Sequence, residues 1–285
     1  MCLIVLALNA SPGYALAVAA NRDEFHERPS APARFWEEAP QVLAGRDLRA
    51  GGTWLGITRG GRFAALTNYR EPGPRKEGGP SRGSLVRRFL EAGEAPEEYA
   101  RFLASGAGEY GGFSVLFGSA RDLWWFSNRS GKPAARLGDG VHGLSNGLPD
   151  GPWPKVVRGK EALAALLALP QEGLVGGALR MLEDDTPAPD DRLPDTGVGR
   201  ELERALSPVF TRSQSYGTRS STVVAVDREG GVCFAGRSFD AAGRETGRGR
   251  RDFPLEPPRA LGSVFGFPSA VRLPRRPTQP LATTR

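Results

Sequence analysis

Cys2 is the residue whose type and position most directly suggest chemistry. Methionine aminopeptidase removes Met1 when the next residue is small, and this leaves an α-amine and a thiol on one residue. An α-amine has an unperturbed pKa of about 7.7–8.0 and a cysteine of about 8.5, so both groups titrate near neutral pH. The amine can therefore act as the base for its own side-chain nucleophile. The alternative is a small apolar residue that begins a buried strand.

A second set of chemically capable side chains is the run Asn21-Arg22-Asp23-Glu24, which follows an apolar segment directly. An arginine close to Cys2 would favour its thiolate, and an aspartate close to the α-amine would orient that amine. The alternative for this run is a solvated loop with a local salt bridge.

Three further candidates, Asn68, Asn146 and Arg219, each lie at or near an end of an apolar stretch. A side-chain amide in such a place can donate a hydrogen bond to a developing oxyanion, although asparagine is also common in turns. Arg219 enters a buried strand, where it can bind a carboxylate or steady the site. The alternative for Arg219 is an exposed strand end.

The histidines and cysteines exclude several other kinds of site. His26 and His142 form neither a Ser-His-Asp set nor a His-rich metal site, so we expect structural roles for both, no metal and no cofactor. Haem ligation by either is the alternative, without the Cys-x-x-Cys-His attachment motif. Two cysteines in 285 residues make no disulfide framework. A Cys2–Cys233 bridge is an option, but we expect a reducing, cytoplasmic setting.

The net charge of +6 is concentrated at the end of the chain. Residues 244–285 contain nine arginines and three acidic residues, so residues 1–243 are formally neutral. The body of the chain therefore lacks the basic footprint of a nucleic-acid-binding protein. No run of about 18 apolar residues predicts a transmembrane helix. The apolar start of the chain is interrupted by polar residues and lacks a preceding Lys or Arg, unlike a signal peptide.

The elements that must position these residues are short strands and helices. Strands are predicted at 2–8, 14–20, 53–58, 63–68, 113–117, 123–126, 141–145, 221–226 and 232–235, and helices near 81–90, 96–105, 155–169, 174–182 and 200–206. Residues 21–34 are predicted as a loop. Blocks of antiparallel strands separated by blocks of helix indicate an α+β fold.

We predict a single domain over residues 1–252, followed by a tail over residues 253–285. Residues 254–285 contain seven prolines and no periodic pattern, which predicts a disordered tail. The chain contains neither a GxGxxG motif after a strand nor a GxxxxGK[ST] motif, so no nucleotide-binding site is indicated.

The order of the motifs is more specific than any one of them. After Cys2 come Asn21-Arg22-Asp23-Glu24, Arg28-Pro29, Gly45-Arg46-Asp47, Gly51-Gly52-Thr53-Trp54-Leu55-Gly56, Leu66-Thr67-Asn68, Ser81-Arg82-Gly83, Leu144-Ser145-Asn146-Gly147 and Gly217-Thr218-Arg219-Ser220-Ser221-Thr222. This series resembles the NRDE family, the transport-and-Golgi-organisation protein 2 family. The resemblance runs from Met1 to about Phe239, and the residues after Ala241 lie outside it.

The resemblance implies a branch of the N-terminal-nucleophile hydrolases, whose fold is a four-layer αββα sandwich. By position, it implies catalytic roles for Cys2, Arg22, Asp23, Asn68, Asn146 and Arg219. We assign substrate contacts to Asn21, Glu24, Arg28, Arg46 and Trp54. Trp54 and Trp36 are candidates for the wall of an acyl pocket, although buried aromatic residues more often simply pack.

One departure concerns Arg22 and Asp23, which are adjacent, whereas the choloylglycine-hydrolase-like members separate the corresponding residues by two positions. Neighbouring residues on a strand point to opposite faces. Either the chain bends at this point, or one of the two faces away from Cys2. In the second case, Glu24 or Asn21 takes the vacant role.

The favoured function is hydrolysis of a linear amide bond of a small acylated substrate, with Cys2 as nucleophile. The alternative is a non-catalytic carrier or chaperone for haem, acyl-CoA or another lipid, a role that the resemblance also suggests. A third hypothesis is a scaffold that binds a protein partner through the Arg- and Pro-rich tail. We expect no nucleic-acid partner and no stable membrane insertion.

Overall fold

Two antiparallel sheets form the centre of the protein, for which a computed structural model describes residues 2–73 and 78–257. The first sheet consists, in spatial order, of β10 (Gly140–Leu144), β1 (Leu3–Leu8), β2 (Tyr14–Phe25), β11 (Tyr216–Asp227), β12 (Gly231–Phe239) and β13 (Glu245–Pro254). The second consists of β3 (Ser30–Phe35), β4 (Val42–Asp47), β5 (Leu55–Thr58), β6 (Arg62–Asn68), β7 (Phe113–Ser119), β8 (Asp122–Ser127) and β9 (Ala135–Arg136).

Helices cover the outer face of each sheet. Helices α3 (Pro154–Leu166) and α4 (Gln171–Met181) pack on the first sheet, and α5 (Arg200–Ala205) follows them in the chain. Helices α1 (Gly83–Glu91) and α2 (Pro96–Gly106) pack on the second sheet. Pro96 and Pro154 each occupy the first helical turn, where a missing N–H costs no hydrogen bond.

Three apolar clusters separate the four layers. The central cluster joins the sheets and includes Leu6 and Val18 from the first sheet with Ile57 and Phe63 from the second. The other two clusters lie between each sheet and its helices. The four-layer αββα sandwich of the α+β class that the sequence predicted is therefore confirmed.

The first two strands lie at the centre of the first sheet and are buried on both faces. All six residues of β1 are buried, as are the first ten of the twelve residues of β2. A strand covered on both sides reads as a continuous apolar run rather than an alternating one, as in Leu3–Leu8. Each buried aliphatic side chain contributes about 1.5–3 kcal/mol, so the start of the chain is firmly held.

The prediction of a loop over residues 21–34 was wrong. Strand β2 continues to Phe25 because β11 pairs with it along its whole length, and β3 begins at Ser30. The sequence pattern suggested a loop because Asn21, Arg22 and Asp23 are polar. Their polar groups are buried by distant parts of the chain that no local pattern reveals.

Strand β13 extends past the predicted domain boundary at residue 252, since it ends at Pro254. It was not predicted because the eight residues before Phe253 are glycine or polar and are exposed along the edge of the sheet. Residues 258–285, most of the predicted tail, lie outside the described residues. In the described ranges, no helix is both long enough and apolar enough to cross a bilayer.

Candidate active site

Cys2 lies immediately before β1, at the wall of a cavity of about 1390 Å³. We call this the Cys2 cavity; its lining includes Cys2, Arg22, Asp23, Asn68 and Arg219. Leu3 pairs with Asn21 in the sheet, so Cys2 lies one residue further, level with Arg22. The hydroxyl of Ser145 donates a hydrogen bond to the Cys2 carbonyl at 3.1 Å and thereby fixes the backbone of the cysteine.

The electrostatic surroundings of Cys2 act in both directions. Burial raises the pKa of the Cys2 thiol, and the Asp23 carboxylate raises it further, whereas the Asp23 backbone N–H and the Arg22 guanidinium act to lower it. Removal of Met1 would put an ammonium group on Cys2 itself. A positive charge so close to the sulfur favours the thiolate.

A β-bulge in β11 resolves the question of how adjacent Arg22 and Asp23 can both serve the site. In the pairing of β2 with β11, Arg22 lies opposite Ser220 and Asp23 lies opposite Thr218, so Arg219 is an extra residue. An extra residue bends its strand and increases the local twist. Both Arg22 and Asp23 consequently line the Cys2 cavity.

The carboxylate of Asp23 is bound by two threonines, neither of which is among the residues that line the Cys2 cavity. Thr218 Oγ1 donates to Asp23 Oδ1 at 2.7 Å, and Thr211 Oγ1 donates to Asp23 Oδ2 at 3.3 Å. The Tyr216 hydroxyl donates to the Asp23 carbonyl at 2.8 Å. The carboxylate is thus held in a fixed position close to Cys2.

Arg22 and Glu24 point to the same side of β2 and form an ion pair at 3.6 Å. Glu24 also lies 3.9 Å from Arg28, which makes a closer ion pair with Asp47 at 2.7 Å. Burial acts to raise the pKa of Asp47, but the hydrogen bond from Arg28 and those from backbone N–H groups hold it below its usual value. Arg28 and Glu24 line the Cys2 cavity, with their charges already paired.

The structure does not support a substrate contact for Asn21. Its side chain is fully buried and lies outside the lining of the Cys2 cavity. The Asn21 amide donates to the carbonyls of Leu182 and Val209 at 2.8 and 2.9 Å and accepts from Ser221 Oγ at 2.6 Å. These bonds join β2 to the helical layer, because alternation along the strand turns Asn21 away from the second sheet.

The two candidate oxyanion donors, Asn68 and Asn146, occupy different positions. Asn68 lines the Cys2 cavity, and no partner for its side-chain amide lies within the described part of the chain. Asn146 is buried outside that lining, and its amide donates to the Asn68 carbonyl at 2.7 Å. The direct oxyanion role predicted for Asn146 is therefore not supported by its placement, which instead fixes the backbone of Asn68.

Arg219, the bulge residue, lines the Cys2 cavity. Its Nη1 lies 3.3 Å from both Nδ1 and the carbonyl oxygen of His26, and the His26 Nε2 lies 3.0 Å from the Ser213 carbonyl. Among the described residues no carboxylate pairs with this guanidinium, and its buried Nε lacks a hydrogen-bond partner. Arg219 is thus available to an anionic group in the cavity.

The two tryptophan candidates also occupy different positions relative to the Cys2 cavity. Trp54 and Arg46 line the Cys2 cavity, but Trp36 does not. Trp36 is buried in the cluster between the second sheet and its helices, where its Nε1 donates to the Ala44 carbonyl and Arg46 stacks 4.3 Å from its ring centre. The prediction that Trp36 lines an acyl pocket was wrong, because the ring faces the helices rather than the other sheet.

The loop that carries Trp54 is fixed by a close backbone contact. A Cβ on Gly52 would lie 2.6 Å from the Gly83 carbonyl carbon, at the first residue of α1. The Thr53 N–H donates to the Gly83 carbonyl at 3.3 Å. Only glycine allows the two segments to approach this closely.

Sequence reasoning missed Arg70, Lys155 and Glu203, which together with Asp23 form a group of buried charges behind Cys2 that we call the buried charge cluster. Arg70 and Glu203 form a buried ion pair, and Lys155 donates to the Leu206 carbonyl at 3.0 Å. Burial lowers the pKa of Lys155 to about 8, against the attraction of Asp23, Cys2 and Glu203. No sequence signal marks this group, because a lysine or glutamate on a helix usually faces solvent.

Both cysteines are free thiols, so the Cys2–Cys233 bridge is not formed. Burial, with a hydrogen bond to Asp252, raises the pKa of Cys233 to about 12. Both ring nitrogens of His142 have partners, since Nδ1 lies 2.8 Å from Asp150 and Nε2 lies 2.8 Å from the Gly138 carbonyl. Within the described ranges, no group of three His, Cys, Asp or Glu side chains is arranged to hold a metal ion.

A comparison with models of protein families shows to which family the chain belongs. The model of the family described as Transport and Golgi organisation 2 matches residues 1–241. The chain belongs to this family. The match covers β1 to β12 and therefore every described residue of the Cys2 cavity lining except those contributed by β13.

Relatives in the Transport and Golgi organisation 2 family align over most of their length. The Transport and Golgi organization protein 2 homologs of Bos taurus and Homo sapiens are each 36% identical to this chain, over 84% of it and 93% of their own length. The Drosophila melanogaster Transport and Golgi organization protein 2 is 31% identical, over 82% of this chain and 90% of its own.

Solved structures show a more distant similarity. Penicillin V acylase from Agrobacterium tumefaciens aligns with a TM-score of 0.49 and 13% identity, over 83% of each chain. An N-acylethanolamine-hydrolyzing acid amidase ortholog from Caenorhabditis elegans aligns with a TM-score of 0.42 and 12% identity, over 78% of this chain and 92% of its own.

Proposed function

We propose that this protein is an N-terminal-cysteine hydrolase that cleaves the linear amide C–N bond of a small acylated substrate. The observation that supports this best is that Cys2 lies on the wall of a cavity that Arg22, Asp23 and Asn68 also line. A nucleophile, charged groups to control it and an amide donor are thus available to one bound molecule. In keeping with the free thiols, we propose a reducing, cytoplasmic setting for this activity.

The first half of the reaction would acylate Cys2. With Met1 removed, the α-amine takes the thiol proton, and the thiolate attacks the carbonyl carbon of the amide, forming a C–S bond. The carbonyl oxygen becomes an oxyanion, for which the Asn68 amide is the available donor. The α-ammonium then gives its proton to the amide nitrogen, the C–N bond breaks and the amine leaves.

The second half would regenerate the enzyme. A water molecule attacks the thioester carbon while the α-amine accepts its proton, and the C–S bond breaks to release a carboxylic acid. Asp23 is well suited to orient the ammonium group because two threonines fix its carboxylate. Asn146 contributes indirectly through the Asn68 carbonyl that it binds.

The substitution Cys2→Ser tests this proposal against a panel of N-acyl p-nitroanilides and N-acyl aminocoumarins. Turnover should fall at least about a hundredfold, because a hydroxyl is a far weaker nucleophile than a thiol. Cys233→Ala is the matched control and should retain turnover, since Cys233 is buried outside the cavity lining. Equal turnover in Cys2→Ser and the unaltered protein contradicts the proposal.

A second candidate function is that of a carrier for an anionic acylated molecule such as acyl-CoA. The cavity of about 1390 Å³ exceeds the range of about 300–1,000 Å³ that is typical of small-ligand pockets. Its described lining contains eleven arginines and four acidic residues, as well as apolar side chains. This composition favours phosphate groups attached to an acyl chain over haem, for which both histidines already have other partners.

Titration of the protein with an acyl-CoA series and with haem separates the carrier from the hydrolase. The carrier hypothesis predicts tight, reversible binding that survives chemical blocking of the N-terminal amine. Loss of binding in Arg219→Gln would locate the anionic group at the bulge of β11. Affinities for both ligands weaker than about 1 mM count against a carrier.

A further inference from the structure

Lys155 is a buried cation whose place in the fold needs an explanation. Its side chain is only 1% exposed, and its Nζ is hydrogen-bonded to one backbone carbonyl, that of Leu206. Removing an ammonium group from water costs several kcal/mol unless nearby charges offset the cost. An apolar side chain of similar length would fill the same space without this cost, so stability alone does not account for a lysine.

The titratable groups around Lys155 indicate which side chains its ammonium group can stabilise. Lys155 is the second residue of α3, and the titratable groups that act on it come from four other parts of the fold. They are Cys2 before β1, Asp23 on β2, Arg70 after β6 and Glu203 on α5. Glu203 is directly paired with Arg70 and also accepts a hydrogen bond from the Thr196 N–H at 3.0 Å.

The charges of the buried charge cluster indicate which negative groups Lys155 stabilises. Glu203 is paired directly with Arg70, and the other negative groups that act on Lys155 in the described part of the chain are the Asp23 carboxylate and the Cys2 sulfur when it is ionised. Both attract the ammonium group. The Lys155 Nζ is bonded to the carbonyl of Leu206, a residue that lines the same cavity as Cys2 and Asp23. Lys155 does not line the Cys2 cavity, so it acts from behind the wall and does not contact a substrate there.

We propose that Lys155 is a positioning residue for the nucleophile: its buried ammonium group stabilises the Cys2 thiolate together with the Asp23 carboxylate. A thiolate formed at a buried position otherwise adds a second negative charge beside Asp23, which is unfavourable in a region of low dielectric constant. The ammonium group balances that charge in every step in which the sulfur is ionised. This proposal rests on the proposed role of Cys2 as nucleophile.

The test is the pH dependence of Cys2 alkylation by iodoacetamide, measured in the full chain carrying Cys233→Ala so that one thiol reacts. Lys155→Met should move the midpoint of the rate profile to higher pH by at least about one unit, a tenfold lower rate below the midpoint. Lys155→Arg should stay close to the unaltered protein because it retains the charge. If Lys155→Met does not fold, Lys155→Gln keeps a donor for the Leu206 carbonyl and provides the same comparison.

An unchanged midpoint in the neutral variant that folds overturns the role of Lys155. This readout is independent of the proposed hydrolase activity. A shifted midpoint without turnover of any N-acyl substrate would contradict the hydrolase but support Lys155 as the residue that sets thiol ionisation. Turnover with an unshifted midpoint would support the hydrolase and contradict the role of Lys155.

Discussion

At the scale of single residues, the site consists of side chains that the sequence could identify and others that it could not. Cys2 was found from its place beside Met1, and Arg22 and Asp23 from the motif that carries them. Lys155 was missed because its burial depends on α5 closing over α3 from a remote part of the chain. Motif order reveals groups that share a local pattern, whereas the buried charge cluster is assembled only by the tertiary fold.

Asp23→Asn should lower kcat/KM for any N-acyl substrate by about a hundredfold or more. The amide retains the shape of the carboxylate but not its charge, which would orient the α-ammonium group of Cys2, and general acid–base steps contribute about 10²–10⁴-fold. Steady-state kinetics measure the effect. Asp139→Asn, at an exposed position outside the cavity lining, is the control. Equal loss in both variants would contradict a specific role for Asp23.

The ionisation of Lys155 should make stability depend on pH in a defined window. Its pKa is about 8 in the folded chain, because burial disfavours the charge, and about 10.4 when unfolded. Between these values the unfolded state binds more protons, so the free energy of unfolding rises as pH increases. The buried charge of Lys155 therefore lowers the free energy of unfolding by its full amount below pH 8 and has no effect above about 10.4.

Chemical denaturation of the unaltered protein and Lys155→Met at pH 7.5 and pH 10.5 measures this effect. The unaltered protein should gain about 3 kcal/mol relative to the variant over this range, as follows from the two pKa values. A difference between the two proteins that does not change with pH would show that Lys155 titrates in the folded state as it does in water.

At the scale of elements, the polar second half of β2 is where sequence and structure differ most. Residues 21–25 belong to a strand because β11 provides backbone partners, and the bulge at Arg219 lets Arg22 and Asp23 line the same cavity. Alternation along a strand was applied correctly, but a bulge depends on two strands that are distant in sequence. The helices were predicted more accurately, since their apolar stripes are local.

Gly52→Ala should destabilise the fold and disturb the loop that carries Trp54. The new Cβ would lie 2.6 Å from the Gly83 carbonyl carbon, so α1 or the loop must move. Such overpacking costs about 1–3 kcal/mol. Gly93→Ala is the matched control, because nothing lies within 4 Å of its added Cβ. Denaturant titration of both variants measures the difference, and equal stability would contradict the close contact.

At the scale of the whole molecule, β13 adds an edge strand to the sandwich that lies beyond the residues matched by the family model. Strand β13 pairs with β12 along the edge of the first sheet, and Phe253 packs edge-on against Phe35 of the second sheet, with 5.4 Å between ring centres. Leu255 packs on the central cluster. The sequence did not reveal this strand because its charged residues are typical of both an exposed edge strand and a tail.

Two truncations test where the folded unit ends. A chain that stops after Pro257 should keep its free energy of unfolding, because it retains every residue that the structure describes in the three apolar clusters. A chain that stops after Gly243 loses β13 and the packing of Phe253 and Leu255, at a cost of about 2 kcal/mol or more. Equal stability of the two truncated chains would show that β13 adds nothing to the stability of the folded unit.

The proposed mechanism depends on Cys2 being an activated N-terminal nucleophile. The most direct test is the intact mass of the protein from a bacterial cytoplasm, before and after brief treatment with iodoacetamide at neutral pH. We predict a mass without Met1 and rapid labelling of Cys2, with slow labelling of the fully buried Cys233. A retained Met1, or a Cys2 that labels no faster than Cys233, would contradict the mechanism.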